Sequence, residues 1–465
     1  MQKMLLLTLL IFIPSLLFTQ NPPEEYSCVE LVNMALQNRS ILKSTGGTEK
    51  KTEHMRKAVR SAYGPTVVAD AELMLFNDDY NMQVVSDDPL NLPHIDPDIR
   101  DAIVEGLQTL IKPLPVRDQF VFHAGVTVMQ PLTRIYTIYQ QDKALEHLSV
   151  HAKTRKAILK RTISYNVTLA LLAVLEAKEL VKISENSVSS LKAIALKARS
   201  LVSAGSVAEF VALEAESALS IATAEHEKAK NIFAVTAAVL ARTVGAKVLT
   251  ISNVKPIETD PPPPPMSLVK SSEYAATHLP ELRMFQSTRT SSEHKAKAMR
   301  SNMFPHLNIV AHYDFRKNIY LVPENEFSVG LNLSWELLSW GRRYHLAKAA
   351  ESTGNIAELN RDEAVSFAKS AAYSAWLQLN STPTQIAALK QAVAAAEASF
   401  KAHQARFDAG EGAMTELILA HNRLQKTKSL ATQTRYRGWR DFVTLKMRLG
   451  EGYRPVIDSS DYNRK

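Results

Sequence analysis

Cysteine is almost absent from this chain of 465 residues, because Cys28 is the only one. A single thiol excludes an intramolecular disulfide, a zinc site built from cysteines alone and a CxxC redox pair. Two roles are left for it, attachment of a lipid or burial as a small apolar side chain. A lipid-attachment motif needs an aliphatic residue at the position that Glu25 occupies, so a buried thiol is favoured.

Long apolar runs are equally scarce. One run extends from Met4 to Phe18 behind Lys3, and it is shorter than the roughly 20 residues that a membrane-spanning helix needs. Its charge, length and position predict a signal peptide, assigned to residues 1–20, although the cleavage site is poorly marked. The sequence therefore predicts export without a helical membrane anchor.

Catalytic motifs are missing as well, since HExxH, Walker, GxSxG and GxGxxG patterns do not occur. His147 and His151 form the only histidine pair at i, i+4 spacing, and without a third ligand nearby a solvated helix face explains them better than a metal site. The formal net charge of +8 comes from Lys and Arg interleaved with Glu, not from a basic stripe. We therefore expect no enzyme, no cofactor or metal and no nucleic-acid partner.

Four segments do show a clear pattern, with apolar and polar residues alternating as in strands that have two different faces. They lie at about 66–76, 121–132, 306–315 and 326–337. The polar positions include Asp70, Glu72, Asn308, His312 and Asn332. The apolar positions include Phe122, Val126, Val128, Leu307, Ile309, Val329, Leu331 and Leu333.

This alternation is typical of outer-membrane β-barrels, although a soluble sandwich with one wet face has the same pattern. The signal peptide favours the barrel. Four strands cannot close, since the smallest barrels have about eight strands and lipid does not tolerate an open edge. The chain is therefore expected to pool its strands with copies of itself, so that the apolar positions face outer-membrane lipid and the polar positions face the lumen.

Long stretches without Gly or Pro follow the strand pairs. Residues 134–201 and about 344–407 each predict a helix of about 100 Å, with turns at Gly205 and Gly410 and return helices at about 206–245 and 414–449. By themselves these helices favour an ordinary antiparallel coiled-coil hairpin. Because strands are attached at one end, a hollow helical extension of the barrel becomes the better interpretation.

Strands and helices recur at one constant offset, which places Gly205 on Gly410 and Gly245 on Gly450. This offset predicts an internal repeat of one unit. The predicted parts are a first unit at 21–245 with a surface-loop insert at about 77–119, a Pro-rich linker at 246–266, a second unit at 267–450 and a tail at 451–465.

In the order and spacing of these features the chain resembles the TolC family of outer-membrane factors. The resemblance runs from about Cys28 to Gly450 and is carried by YGP at 63–65, FPHLNIVAHY at 304–313, VGLNLSWELLSWGRR at 329–343 and the glycine turns. It implies a mixed α and β membrane protein, a homotrimer with four strands per chain in a twelve-stranded β-barrel that continues into a long periplasmic α-helical barrel.

The function implied by the resemblance is that of an exit duct in the outer membrane. Such a duct serves a tripartite efflux pump or a type I secretion system, and it passively conducts substrates from an inner-membrane transporter with the help of a periplasmic adaptor. The alternative is a surface spacer or adhesin-like coiled-coil protein without a channel.

Acidic side chains just after the second turn narrow the periplasmic entrance of the family. Glu416 takes the place of the first of these acids, but Leu419 stands at the second and Gly412 at an arginine of the family pattern. Asp408 and Glu411 lie in the same turn and are expected to add to the gate. Glu416 is alternatively a solvated residue that the helix dipole stabilises.

The resemblance also places the docking surface for the adaptor at the tips of the two helical hairpins, 199–208 and 406–413. Small residues there leave room for a partner helix. The residues expected at this surface are Gly205, Ser206, Gly410 and Gly412.

Overall fold

The structure, a computed structural model, describes residues 26–82, 95–110, 114–246, 257 and 259–451. The expected signal peptide, much of the expected linker and nearly all of the expected tail lie outside these residues. Among them are nine helices and five strands. The helices are α1 (Cys28–Asn38), α2 (Ser40–Ser61), α3 (Pro97–Leu110), α4 (Ile135–Ser203), α5 (Glu209–Val244), α6 (Leu268–His278), α7 (Pro280–Ser301), α8 (Arg342–Asp408) and α9 (Met414–Arg448). The strands are β1 (Thr66–Leu75), β2 (Tyr80–Met82), β3 (Leu114–Pro131), β4 (His306–Ile319) and β5 (Asn325–Ser334).

The chain forms two compact units. The helical unit contains Met1–Ser44, Lys156–Pro280 and Val365–Lys465, and the sheet unit contains Thr45–Arg155 and Glu281–Ala364. The chain is thus mostly helical with one small sheet.

The sheet is antiparallel throughout, with the strand order β1-β3-β4-β5. The short strand β2 pairs with the first residues of β3, from Leu114 to Arg117. β1 and β5 are the edges of this order. The alternating sequence explains the strands, because β-branched and aromatic side chains pack well on a pleated surface.

Two strands are longer than the sequence indicates. β3 begins at Leu114 and β4 ends at Ile319, so part of the segment expected as a surface loop belongs to the sheet. The Arg117 guanidinium lies over the Phe76 ring, 3.4 Å from its centroid, and the Tyr320 hydroxyl donates to Asp118 at 2.6 Å. These contacts stabilise the first residues of β3, where charged side chains interrupt the alternation of apolar and polar positions. The sequence of the surface-loop insert also predicts a short helix at about 98–111, and this helix is present as α3.

The first helical segment does not break where the sequence suggests. The pair Gly46 and Gly47 predicts an interruption of the first helix, but both residues lie inside α2. The break comes instead after Asn38, the last residue of α1, with Arg39 as its C-cap, and a Cβ built on Gly245 would lie 3.2 Å from the Asn38 Cβ. Glycine costs only about 1 kcal/mol in a helix interior, so a helix can continue through these positions.

The core of the helical unit brings together α1, the middle of α4, the end of α5, α8 and the end of α9. Leu31, Leu172, Leu240 and Phe442 are fully buried in it. Cys28 is part of the same core, with its Sγ 3.7 Å from the Thr168 hydroxyl, which agrees with a buried thiol.

Two tryptophans hold the described part of the Pro-rich linker against the helices. The indole N–H of Trp439 donates to the Thr259 carbonyl at 3.0 Å, and that of Trp376 donates to the Met266 carbonyl at 2.7 Å. The Lys390 ammonium pairs with Asp260 at 2.6 Å. The linker is therefore part of the packed unit between these contacts.

None of the helices among the described residues combines the length and apolar character needed to cross a membrane. Across the same residues, no three His, Cys, Asp or Glu side chains are placed to hold one metal ion. The His147 ring stacks on His294, with ring centroids 5.6 Å apart.

Candidate functional site

The two hairpin turns have the same backbone geometry. Gly205 and Gly410 adopt φ of +73° and +78°, in the left-handed region. In each turn the residue after the glycine donates its N–H back to the helix, Ser206 to Leu201 and Glu411 to Arg406, both at 2.9 Å. This is the Schellman arrangement, which needs a glycine because a side chain there would clash with the carbonyl.

The space around the turn glycines differs. Apart from the backbone of the turn itself, a Cβ built on Gly205 or Gly410 meets no atom within 4 Å, whereas a Cβ on Gly412 would lie 2.9 Å from the Phe407 nitrogen. Ser206 is exposed. The tips therefore present small, open surfaces at Gly205, Ser206 and Gly410, while Gly412 is required for the turn to close on its own helix.

Glu416 lies in the first turn of α9 and faces α8. Its Oε2 is 3.6 Å from His403 Nδ1 and 3.7 Å from Arg406 Nη1, both on α8. The carboxylate is also half exposed, so the contacts to α8 and the first-turn helix dipole both stabilise its charge.

Asp408 and Glu411 have different surroundings. Asp408 forms an ion pair with Lys197 of α4, which joins the first hairpin to the second. The Glu411 side chain is exposed, and the carbonyl of Glu411 accepts from Arg406 Nη2 at 3.4 Å. The structure thus brings the three expected gate residues to one turn, and two of them are paired with cations.

Further contacts join the hairpins above the turns. The Thr415 hydroxyl donates to Glu214 of α5 at 3.1 Å. Leu191, Phe407 and Leu417 form part of a second apolar core that includes residues of α4, α5, α8 and α9. Its remaining members are largely alanines, which allow the helices to approach closely.

His421 is fully buried where α4, α8 and α9 meet. One ring nitrogen, Nε2, lies 2.9 Å from the Ser187 hydroxyl, and the Phe400 ring contacts it edge-on with centroids 5.4 Å apart. Burial lowers the pKa of His421 to about 4, with a smaller contribution from the Lys428 charge. The imidazole is therefore neutral at physiological pH.

A groove of about 950 Å³ lies between α5 and α9, with one side closed by Ser187 of α4. Its walls carry the exposed apolar side chains of Phe210, Leu213, Ile221 and Leu419. Polar side chains complete the lining, among them Glu214, Glu225, Asn422, Gln425 and Lys426. An apolar groove with a polar rim of this kind is suited to receive another helix.

The sheet register separates the two sets of strand residues. Val126 pairs with Ala69 and Tyr313, and Ile309 pairs with Leu331, so the apolar positions share one face. The same register places the five polar positions on the opposite face. The apolar face is most exposed on the edge strand β5, where Leu331 is 70% accessible in the single chain.

The cations that contact the acidic turn residues were not identified from the sequence. Lys197, His403 and Arg406 lie on helices whose rotation about their axes is not fixed by the sequence pattern alone. The groove between α5 and α9 was not predicted from the sequence either. Its one signal was Leu419, an apolar residue at a position where the resemblance implies an acid.

Comparison with known sequences gives a partial match. Residues 273–451 match the family model described as outer membrane efflux protein. No sequence in a search of curated proteins matches the chain.

Solved structures match over nearly the whole chain. The outer membrane protein VceC of Vibrio cholerae is 11% identical with a TM-score of 0.73, and the alignment covers 92% of this chain and 97% of VceC. The CmeC outer membrane channel of Campylobacter jejuni is 14% identical with a TM-score of 0.72, covering 94% and 89%. The MtrE outer membrane channel of Neisseria gonorrhoeae is 13% identical with a TM-score of 0.70, covering 93% and 91%.

At identities this low, the structural similarity establishes the fold of the chain and nothing further. The match over residues 273–451 covers nearly all of the second predicted unit, 267–450. The resemblance drawn from the sequence is therefore confirmed: the chain has the fold of the TolC-family outer-membrane factors and carries the outer membrane efflux protein domain.

Proposed function

We propose that three copies of the chain form the outer-membrane exit duct of an efflux pump or type I secretion system. Each copy contributes four strands to a twelve-stranded barrel in the outer membrane and its helices to a periplasmic tunnel. The duct conducts its cargo passively, and a periplasmic adaptor connects it to an inner-membrane transporter.

The open sheet with one largely apolar face carries this proposal. β1 and β5 are the edges of the four-strand order, and unpaired backbone groups at a lipid-exposed edge cost several kcal/mol each. Pairing β5 of one copy with β1 of the next removes both edges. Three copies give twelve strands. One copy has too few strands to close, and two copies only just reach the smallest barrels, which have about eight strands.

The charge distribution on the sheet agrees with this arrangement. The apolar face, including Val329, Leu331 and Leu333, would meet the hydrocarbon of the membrane. Asp70, Glu72, Asn308, His312 and Asn332 would line a wet lumen. The internal repeat is part of the proposal, supported by the left-handed glycines at Gly205 and Gly410 and at Gly245 and Gly450.

We further infer a gate at the periplasmic tips. Threefold symmetry would present Asp408, Glu411 and Glu416 three times around the axis, and such a set of carboxylates attracts cations. The ion pair between Lys197 and Asp408 would hold the second hairpin against the first in the closed state.

The adaptor would dock at the tips and in the groove next to them. The open surfaces at Gly205, Ser206 and Gly410 offer the entrance. The α5–α9 groove offers apolar walls at Phe210 and Leu419 that have no cover in the single chain.

A planar-bilayer recording tests the function. Purified protein should migrate as a heat-modifiable trimer after detergent extraction and should form discrete conducting channels. A trimer that never conducts would identify a spacer or adhesin instead, and a monomeric protein that needs no detergent would remove the barrel altogether.

A further inference from the structure

We propose that a Pro-rich strap, residues 259–266, keeps the hairpin of α8 and α9 straight at a weak point of both helices. Release of the strap from the part of α8 nearer the tip lets the hairpin bend and opens the tips. The inference rests on the proposed function, because it requires a duct whose tips open and close.

The weak point of α8 is Pro383, a proline in the interior of the helix. Proline has no N–H to donate to the carbonyl four residues earlier, here that of Leu379, and its ring crowds that carbonyl. The Thr382 hydroxyl also donates to the Gln378 carbonyl at 3.2 Å, a side-chain bond of a kind that favours bending. We therefore expect α8 to bend most easily at Pro383.

α9 has its own weak residue at the same level. Gly438 is the glycine of this helix, and glycine weakens a helix interior. A Cβ built on Gly438 would lie 2.4 Å from Cγ2 of Thr382, so Gly438 faces the residue before Pro383. Because α4 and α5 contain neither Gly nor Pro, a bend shared by both helices is available to the second hairpin and not to the first.

The strap crosses the second hairpin at this level. Pro261 is buried, and its Cγ lies 2.7 Å from the position of a Cβ on Gly438. The strap, α8 and α9 therefore meet at one closely packed point beside Pro383.

The strap is attached to α8 on both sides of the weak point. On the side toward β5, the indole N–H of Trp376 donates to the Met266 carbonyl at 2.7 Å. On the side toward the tip, the Lys390 ammonium lies 2.6 Å from a carboxylate oxygen of Asp260. A bend at Pro383 changes the distance between these two attachments.

The strap is too stiff to follow such a bend. Its five consecutive prolines, 261–265, fix φ near about −65° and favour extended polyproline II backbone, with a rise of about 3.1 Å per residue. The six steps from Asp260 to Met266 then span about 19 Å, and the fourteen steps from Trp376 to Lys390 span about 21 Å along α8. An extended strap thus matches the straight helix in length, and a bend must break one attachment.

The attachment that breaks is the ion pair between Asp260 and Lys390. The Lys390 and Asp260 side chains are 67% and 43% exposed, and exposed pairs are weak and screened by salt. Trp376 is half-buried, and its hydrogen bond keeps the other end of the strap in place. On the side toward the tip, Lys428 of α9 pairs with Glu397 of α8 at 2.7 Å, so both helices move together.

Single-channel recording of purified trimers tests the role of the strap. Lys390→Met removes the releasable attachment and should raise the open probability about threefold or more at about 0.1 M salt. Pro383→Ala restores the missing helix bond and should lower the open probability. In the Pro383→Ala, Lys390→Met double variant the loss of lysine should have no effect, because a helix without the weak point stays straight unaided.

The matched control is Lys428→Met, which removes an ion pair of the same hairpin that does not involve the strap. Its open probability should equal that of wild type. A reversible lock tests the strap in the opposite direction. In an Asp260→Cys, Lys390→Cys variant, a reducible bifunctional thiol reagent should hold the tips closed, and reduction should allow them to open again. Cys28 is buried and does not compete for the reagent.

Each outcome decides the inference. Conducting channels whose open probability is unchanged by Lys390→Met, or is raised equally with and without Pro383, overturn it and leave the proposed function in place. A cross-linked variant that opens as freely as wild type does the same. An equal rise in Lys428→Met assigns the effect to loss of any ion pair in the hairpin and also overturns the inference. Trimers that never conduct overturn both the role of the strap and the duct.

Discussion

In the proposed duct, the ion pair between Lys197 and Asp408 should control how readily the tips of the two hairpins open. Replacing Lys197 by Met removes the one side-chain ion pair that the structure gives Asp408 across the two hairpins. Both side chains are exposed, so each pair is worth about 0.2–1 kcal/mol. Three pairs in the proposed trimer, opening together, amount to about 0.6–3 kcal/mol, which corresponds to an increase of about 3- to 150-fold in the ratio of open to closed channels.

Single-channel recording measures this ratio directly. The Lys197→Met variant should show a higher open probability at about 0.1 M salt, and the difference from wild type should shrink at about 1 M salt, where the Debye length is about 3 Å instead of about 10 Å. Exchanging the charges in a Lys197→Asp, Asp408→Lys double variant should restore the closed state. Lys230→Met is the matched control, since Lys230 pairs with Glu227 within α5 alone.

Two results would refute this reasoning. One is an open probability of Lys197→Met that equals that of wild type at low salt, which would mean that the pair does not hold the tips together. The other is a charge-exchanged variant as open as Lys197→Met, which would assign the effect to loss of lysine packing and not to the pair.

Three further changes test other parts of the structure. Gly438→Ala should lower the free energy of unfolding, measured by thermal unfolding, by about 1–3 kcal/mol, because the new Cβ would lie 2.4 Å from the Thr382 side chain. Gly354→Ala is the control, because its nearest contact would be at 3.6 Å and its stability should not fall. Leu331→Arg should cost about 2–4 kcal/mol at the midplane of the membrane, and a water-soluble thiol reagent should label cysteine at Asn332 but not at Leu331; the reverse labelling contradicts the assignment of the faces. His421 has a pKa lowered to about 4, so the unfolded chain takes up its proton first and stability should fall by about 3 kcal/mol as the pH drops from about 6.5 to about 4; this loss should be absent in His421→Phe, and an equal loss there would show that other groups cause it.

The two faces of the sheet could be predicted from the sequence because strand alternation is local. Each residue in a strand points opposite to its neighbours, so Leu331 and Asn332 must lie on different faces whatever the strands pair with. The extension of β3 toward Leu114 was not predictable in the same way, since it depends on pairing with β2 and β4, including a register shift between Arg117 and Phe122.

The turns were likewise predictable, but the partners of their side chains were not. Gly205 and Gly410 stand out because long helices end there. Lys197 and Asp408 are 211 residues apart, and whether they meet depends on the packing and rotation of two long helices. A small rotation of α8 would separate them without changing the sequence pattern at all.

The central pairing of the sheet constrains the order in which the chain can fold. β4 and β5 are joined by a short connection, with Tyr313 and Asn325 only 12 residues apart. β3 and β4 meet through residues such as His123 and Asp314 that are 191 residues apart. Closing so long a loop is entropically costly and slows folding, so the helical segments between the two strands should form first and bring them together. Until β4 has been synthesised, β3 has no partner on that side, and the apolar face that the four strands share does not yet exist.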